Sequence, residues 1–197
     1  MNQIKVLVEG YVKEEGYSAY ATTSSAVLVR FNQTKILCDP GLNVDLLKQA
    51  FAEEKLKFSD IDWVFLTHSH LGHSYGAALF PQAHVIDWDT DYYRGVADIY
   101  GDSGEIPGTD LKVIKTPGHS VDHCSLLVPV KNKVYAVAGD VFWWIDDEDK
   151  KTDRDSLLSR KDPQKGADMA ALADSRIRLL ELADFIIPGH GPMITVD

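Results

Sequence analysis

Three apolar runs in this chain each stop at a short polar turn that carries histidine, and that repeated ending constrains the fold more than any other feature. Thr67-His68-Ser69-His70-Leu71-Gly72-His73 follows the run at 63–66, Thr116-Pro117-Gly118-His119 follows 111–115, and Pro188-Gly189-His190-Gly191 follows 185–187. Ala138-Gly139-Asp140 closes a fourth run that begins at Val134. A strand fixes where its last side chain points while the loop beyond it stays open, so strand ends are where rigid scaffolds place chemistry.

The segments between these ends alternate strand and helix patterns. Residues 4–11 read as one strand, and 25–31 with 35–39 as a hairpin around Asn32-Gln33-Thr34. Residues 45–57 carry Leu46, Leu47, Ala50, Phe51 and Leu56 at helical spacing. A short helix is predicted over 74–80, a strand over 83–86, and a second hairpin from 124–130 and 133–138. The charged stretch 146–165 reads as solvated surface, and 169–183 as an amphipathic helix facing inward through Leu172, Ile177, Leu180 and Leu182. Each half thus runs through hairpins, a helix and a strand that ends in a histidine loop. The pattern predicts an α/β (α+β) sandwich over 1–197 as one domain, sheets inside and helices outside, rather than a doubly wound parallel sheet.

Composition limits the partners. The chain has 197 residues, 45% hydrophobic and 25% charged, the ordinary balance of a globular protein. A formal net charge of −10 works against binding to phosphate backbones or anionic lipid, so nucleic acid and membrane partners are not expected. Cys38 and Cys124 are expected as free thiols. The apolar run at 4–8 is too short for a signal peptide, and a cytoplasmic location is expected.

The histidine spacing has a direct physical reading. His68 and His70 are two apart in an extended segment, so their rings project to the same side, where they can share a metal about 2.0–2.1 Å from each nitrogen. A loop-borne His119 can complete that set. His73, three residues beyond His70, can face a second ion, and the two oxygens of Asp140 can bridge ions ~3.5–4 Å apart. His123, four after His119, reads as a supporting residue rather than a ligand, and His84 as structural.

The set Cys38-Asp39-Pro40-Gly41, Thr67 to His73, Thr116 to Ser120, Ala138 to Asp140 and Pro188 to Gly191 resembles the metallo-β-lactamase superfamily in order and spacing across nearly the whole chain. The segment 183–192 and the compact length resemble the metallo-β-lactamase-domain-containing protein 1 branch. The resemblance implies a four-layer αββα sandwich, a first metal site of His68, His70 and His119, a bridging Asp140, and a second site of His73 and His190. It implies that Asp39 lies behind the ligands and orients them. One position departs: the family pattern is His-x-His-x-Asp-His, and Gly72 stands where that aspartate would be. Filling of the second site is therefore left open.

The function implied is metal-dependent hydrolysis of an ester, thioester, lactone or phosphodiester in a small molecule, with Asp140 in the catalytic centre and one or two zinc ions, or else iron or manganese. Two alternatives remain open. One is a mononuclear iron dioxygenase of the persulfide dioxygenase type, using His68, His119 and Asp140. The other is a weakly active metal-binding module. Trp143 and Trp144, directly after Asp140, are expected to wall the site. Tyr92, Tyr93 and Tyr100, with Arg94 and Lys115, are further candidates for substrate contact. Oligomeric state is not legible.

Overall fold

The computed structural model describes residues 2–17, 19–99 and 104–196. The first half of the chain contains β1 (Gln3–Val8), β2 (Tyr11–Glu14), β3 (Tyr20–Thr23), β4 (Ala26–Phe31), β5 (Thr34–Cys38), α1 (Val44–Glu53), β6 (Trp63–Phe65), α2 (Leu71–Ser74), β7 (His84–Ile86), β8 (Thr90–Tyr93) and β9 (Val96–Ile99). The second half contains β10 (Lys112–Lys115), β11 (Cys124–Val130), β12 (Lys133–Trp143), α3 (Arg154–Ser159), α4 (Met169–Leu182), β13 (Phe185–His190) and β14 (Ile194–Thr195).

Seven strands form one sheet in the order β1-β4-β5-β6-β7-β8-β9, and five form another in the order β10-β11-β12-β13-β14. β2 and β3 make a separate ribbon. Alternation along the strands builds the layers, because successive side chains point to opposite faces. On β4, Val27 and Val29 face a core shared with Leu126, Val128, Val137 and Ile187 of the second sheet. Ala26 and Leu28 face the other way, onto Leu47 and Phe51 of α1. On the second sheet, Ala136 and Ala138 of β12 and Ile186 of β13 turn outward onto Leu172, Leu179 and Leu180 of α4. The result is the four-layer αββα sandwich.

Several boundaries differ from the sequence reading. The strand expected over 4–11 breaks at Glu9-Gly10, where the backbone of Ser25 and Gly189 comes too close for any side chain at position 10. The helix expected from Ser74 begins at Leu71, inside the histidine motif, and passes into a 3-10 turn over Tyr75–Leu79. β8 and β9, which no strong apolar alternation marks, extend the first sheet. On α4, Ile177 and Leu182 are 38% and 44% exposed, while Leu179, Ser175 and Arg176 face inward.

Two corrections place the site. β12 does not end at Asp140 but continues to Trp143, and β13 runs through Pro188-Gly189 to His190. The parallel ladder between them shifts register around Gly139 and again before Trp143. Pro188, which has no N–H to donate, pairs opposite Gly139 at that irregularity. Gly139 has φ +49°, and a Cβ there would press on Thr67 Oγ1 at 2.5 Å. Asp140 therefore leaves the ladder at a built-in distortion, where a carboxylate is free to face the histidine loops.

Candidate metal centre

Backbone hydrogen bonds tie the loop-bearing strand ends together at one edge of the sandwich. Asp39 N–H donates to Phe65 O at 2.9 Å, Cys124 N–H to Thr67 O at 2.8 Å, and Ser25 N–H to Gly189 O at 2.7 Å. The second of these joins the two sheets directly behind His68.

The expected ligands converge there in two sets. His68, His70, His119 and Asp140 offer one group of donor atoms, and His73, Asp140 and His190 another. His68 Nε2 lies 2.9 Å from His70 Nδ1, which lies 3.1 Å from His119 Nε2. Donors 2.0–2.1 Å from one tetrahedral ion lie about 3.3 Å apart, so these nitrogens sit at ligand spacing. Asp140 divides its oxygens between the sets. Oδ2 is 3.3 Å from His119 Nε2 and 3.9 Å from His68 Nε2, while Oδ1 is 3.2 Å from His73 Nε2 and 3.6 Å from His190 Nε2.

The outward nitrogens of His68, His73 and His190 are engaged elsewhere. His73 Nδ1 meets Asp39 Oδ2 at 2.9 Å, and His190 Nδ1 meets Thr23 O at 2.9 Å. Thr67 Oγ1 lies 3.1 Å from His68 Nδ1 and donates to Asp39 Oδ2 at 2.7 Å, while Thr67 N–H donates to Asp39 Oδ1 at 2.8 Å. Asp39 thus meets His73 and Thr67 on the side of the His73 ring away from Asp140.

His123 is buried and belongs to neither donor group. Its Nε2 accepts the backbone N–H of Asp140 at 3.1 Å, and its Nδ1 lies 3.0 Å from Thr116 Oγ1. Burial pushes its pKa down to about 4, so the ring is neutral. Burial also lowers His68, His70 and His190, which frees a lone pair on each. At His73 burial is outweighed by the carboxylates of Asp140 and Asp39, which raise its pKa. Burial pushes the Asp140 carboxyl upward, yet His73 and His190 hold it well below the carboxylate range.

His73 Nε2 and Asp140 Oδ1 lie buried 3.2 Å apart, and neither makes an aligned hydrogen bond. Leaving such atoms unpaired in the interior costs about 1–3 kcal/mol each, and a cation between them satisfies both. The donor set fits a metal pair.

Around the centre, the outcomes vary. Trp143 stands beside it, its ring 6.0 Å from His119 and 5.9 Å from His190. Trp144 does not wall the site: it is 1% exposed and packs with Phe142, Leu157 and Leu179, because the residue just past the strand end points to the face opposite Trp143. Tyr93 stacks on His84 at 3.9 Å, and Val85 pairs with Tyr92, at the strand ends away from the centre. Arg94 follows in the turn after Tyr93 and bonds Gln82. Lys115 lies over the Trp88 ring at 4.3 Å. Tyr100 lies outside the described residues.

The sequence reading missed Asp162. Its Oδ2 lies 2.8 Å from His119 Nδ1. It sits among the many acids of 146–165, and nothing local distinguishes it from its neighbours.

A fold of two packed sheets with histidine loops on one edge and a shared carboxylate defines a class, and the chain belongs to the metallo-β-lactamase superfamily. The model of that superfamily matches residues 19–93. A metallo-beta-lactamase domain-containing protein 1 from Xenopus laevis is 32% identical over 99% of this chain and 82% of its own. An atrochrysone carboxyl ACP thioesterase from Aspergillus chevalieri is 26% identical, over 79% of this chain and 57% of its own. Among solved structures, a metallo-beta-lactamase-like protein of Thermotoga maritima superposes with a TM-score of 0.74 at 19% identity, covering 98% of this chain and 99% of that one. That likeness speaks for the fold alone.

Proposed function

We propose that this chain is a metal-dependent hydrolase acting on a small molecule, with a thioester ahead of an ester, lactone or phosphodiester. The observation that carries the reading is the division of Asp140, whose Oδ2 faces His119 and whose Oδ1 faces His73. One carboxylate shared between two nitrogen sets suits two adjacent cations, zinc first, with iron or manganese as alternatives. Such ions would polarise the scissile carbonyl and make water nucleophilic near neutral pH.

The protein's own residues do the rest. His68, His70 and His119 on one side, and His73 and His190 on the other, would hold the ions, and ionised Asp140 would keep them together. Asp122 accepts the N–H of Ser69 at 3.2 Å. Burial raises its carboxyl, but hydrogen bonds from Ser120 and Ser69 hold it below the usual range. With Gly72 in place of the family's aspartate, this ionised group beside the ligand loop is the carboxylate available to take a proton. Trp143 supplies an apolar wall for an acyl group. The thioester preference draws on the thioesterase relative.

Metal analysis of purified protein, paired with thiol release from acyl thioesters, tests the reading. Two zinc ions per chain and hydrolysis are expected. One iron with oxygen consumption on a persulfide would replace it with dioxygenase chemistry. Stoichiometric metal with no turnover of any ester, thioester, lactone or phosphodiester would reduce the protein to a metal-binding module.

A further inference from the structure

The outer nitrogen of His119 is held by a carboxylate from a segment outside the histidine loops. Asp162 lies between α3 and α4, in the stretch that reads from sequence as solvated surface. Its side chain is 0% exposed and that of His119 is 2% exposed, with Oδ2 2.8 Å from Nδ1. The other carboxylate oxygen accepts the backbone N–H of Gln164 at 2.8 Å. A proton on His119 Nδ1, donated to Asp162, leaves the lone pair on Nε2. That nitrogen is the one facing His70 Nδ1 at 3.1 Å and Asp140 Oδ2 at 3.3 Å.

The segment is clamped on both sides of Asp162. On one side, Arg160 Nε donates to Trp143 O at 2.9 Å. Arg176, 1% exposed, donates through Nη1 to Arg160 O and through Nε to Val141 O, the latter at 3.0 Å. On the other side, Asp168 N–H donates to Gly118 O at 2.7 Å, next to His119 itself. A buried guanidinium costs several kcal/mol to desolvate unless it is fully engaged. Arg176 spends its donors on carbonyls of the strand that carries Asp140 and of the segment that carries Asp162.

We propose that Asp162 is a positioning residue for His119, fixing the ring and its tautomer for the first metal set as Asp39 does for His73 in the second. Each set then has one histidine backed by a buried carboxylate, and a backing carboxylate also raises ligand basicity. The proposal rests on the metal-centre reading above.

The test compares wild type with Asp162→Asn by zinc competition against a chelator, with circular dichroism to check folding. The Asn variant keeps the shape but not the charge, and the affinity of one zinc equivalent is expected to fall about 10–100-fold with the fold intact. Unchanged affinity in a folded variant overturns the proposal and leaves the metal-centre reading standing. A wild type that binds no zinc overturns both. Nitrogen NMR of metal-free wild type gives a readout independent of the variant's folding: His119 is expected as the Nδ1–H tautomer, and an Nε2–H tautomer there overturns the proposal.

Discussion

Asp39 Oδ2 lies 2.9 Å from Nδ1 of His73, so a carboxylate at the end of one strand orients a histidine carried on the helix after the next strand. Asp39 adopts φ +45°, and the N–H and hydroxyl of Thr67 hold its two oxygens in place. The buried carboxylate therefore has every oxygen engaged and no freedom to turn away from the ring.

Asp39→Asn tests that relationship. Asparagine tolerates the left-handed backbone, so the fold is expected to persist. Its amide would keep an oxygen for the Thr67 N–H and turn N–H toward His73 Nδ1, pushing the imidazole proton toward Nε2. Binding of one metal equivalent should weaken about 10–100-fold while the other is retained. Chelator competition resolves the two, and equal retention of both equivalents counts against the assignment.

Gly72→Asp asks whether the missing carboxylate limits the centre. A Cβ at Gly72 meets nothing within 4 Å, so the added side chain has room. It adds one negative charge beside His73, and tighter binding of the second ion is expected, roughly 10-fold for each 1.4 kcal/mol gained. Metal counts at limiting zinc measure it. If neither metal content nor turnover changes, Gly72 is not what sets second-site affinity.

Gly189→Ala addresses the close approach of β13 to the shared carboxylate. A Cβ there would overlap Asp140 Oδ1, the oxygen facing His73 and His190. The carboxylate must rotate or the strands must part, so loss of at least one bound ion is expected. A variant crystallised with both ions in place and Asp140 unmoved would contradict this.

His123→Ala separates support from ligation. The substitution strips the acceptor from the buried Asp140 N–H, at a cost of about 1–3 kcal/mol before any cavity term. Thermal melting of the metal-free protein should register that loss. Metal stoichiometry should stay at the wild-type value, since no ligand has been removed.

The candidate site was legible to a degree that much of the fold was not. His68, His70, His119, Asp140, His73 and His190 could be read from the sequence because each sits in or beside a Gly-, Thr- or Pro-marked turn after an apolar run. Short-range pattern reports such endings. β8 and β9 escaped because a partly exposed edge hairpin carries little apolar alternation. The ends of β12 and β13 were misjudged because glycine and proline read locally as stops. In the sandwich the parallel ladder resumes beyond them, after its register shift.

By itself the sequence determined the inventory: which side chains can bind metal, which strand ends carry them, and that Gly72 removes one carboxylate. Only the tertiary structure decided how that inventory divides. Asp140 gives one oxygen to each set because the Gly139 distortion turns it out of the ladder. Trp143 faces the centre while Trp144 enters the core. Asp162 reaches His119 across 43 residues because Arg176 and α4 pin its segment there. Contacts between residues so far apart in the chain leave no local periodicity to read; they exist only once packing brings the segments together.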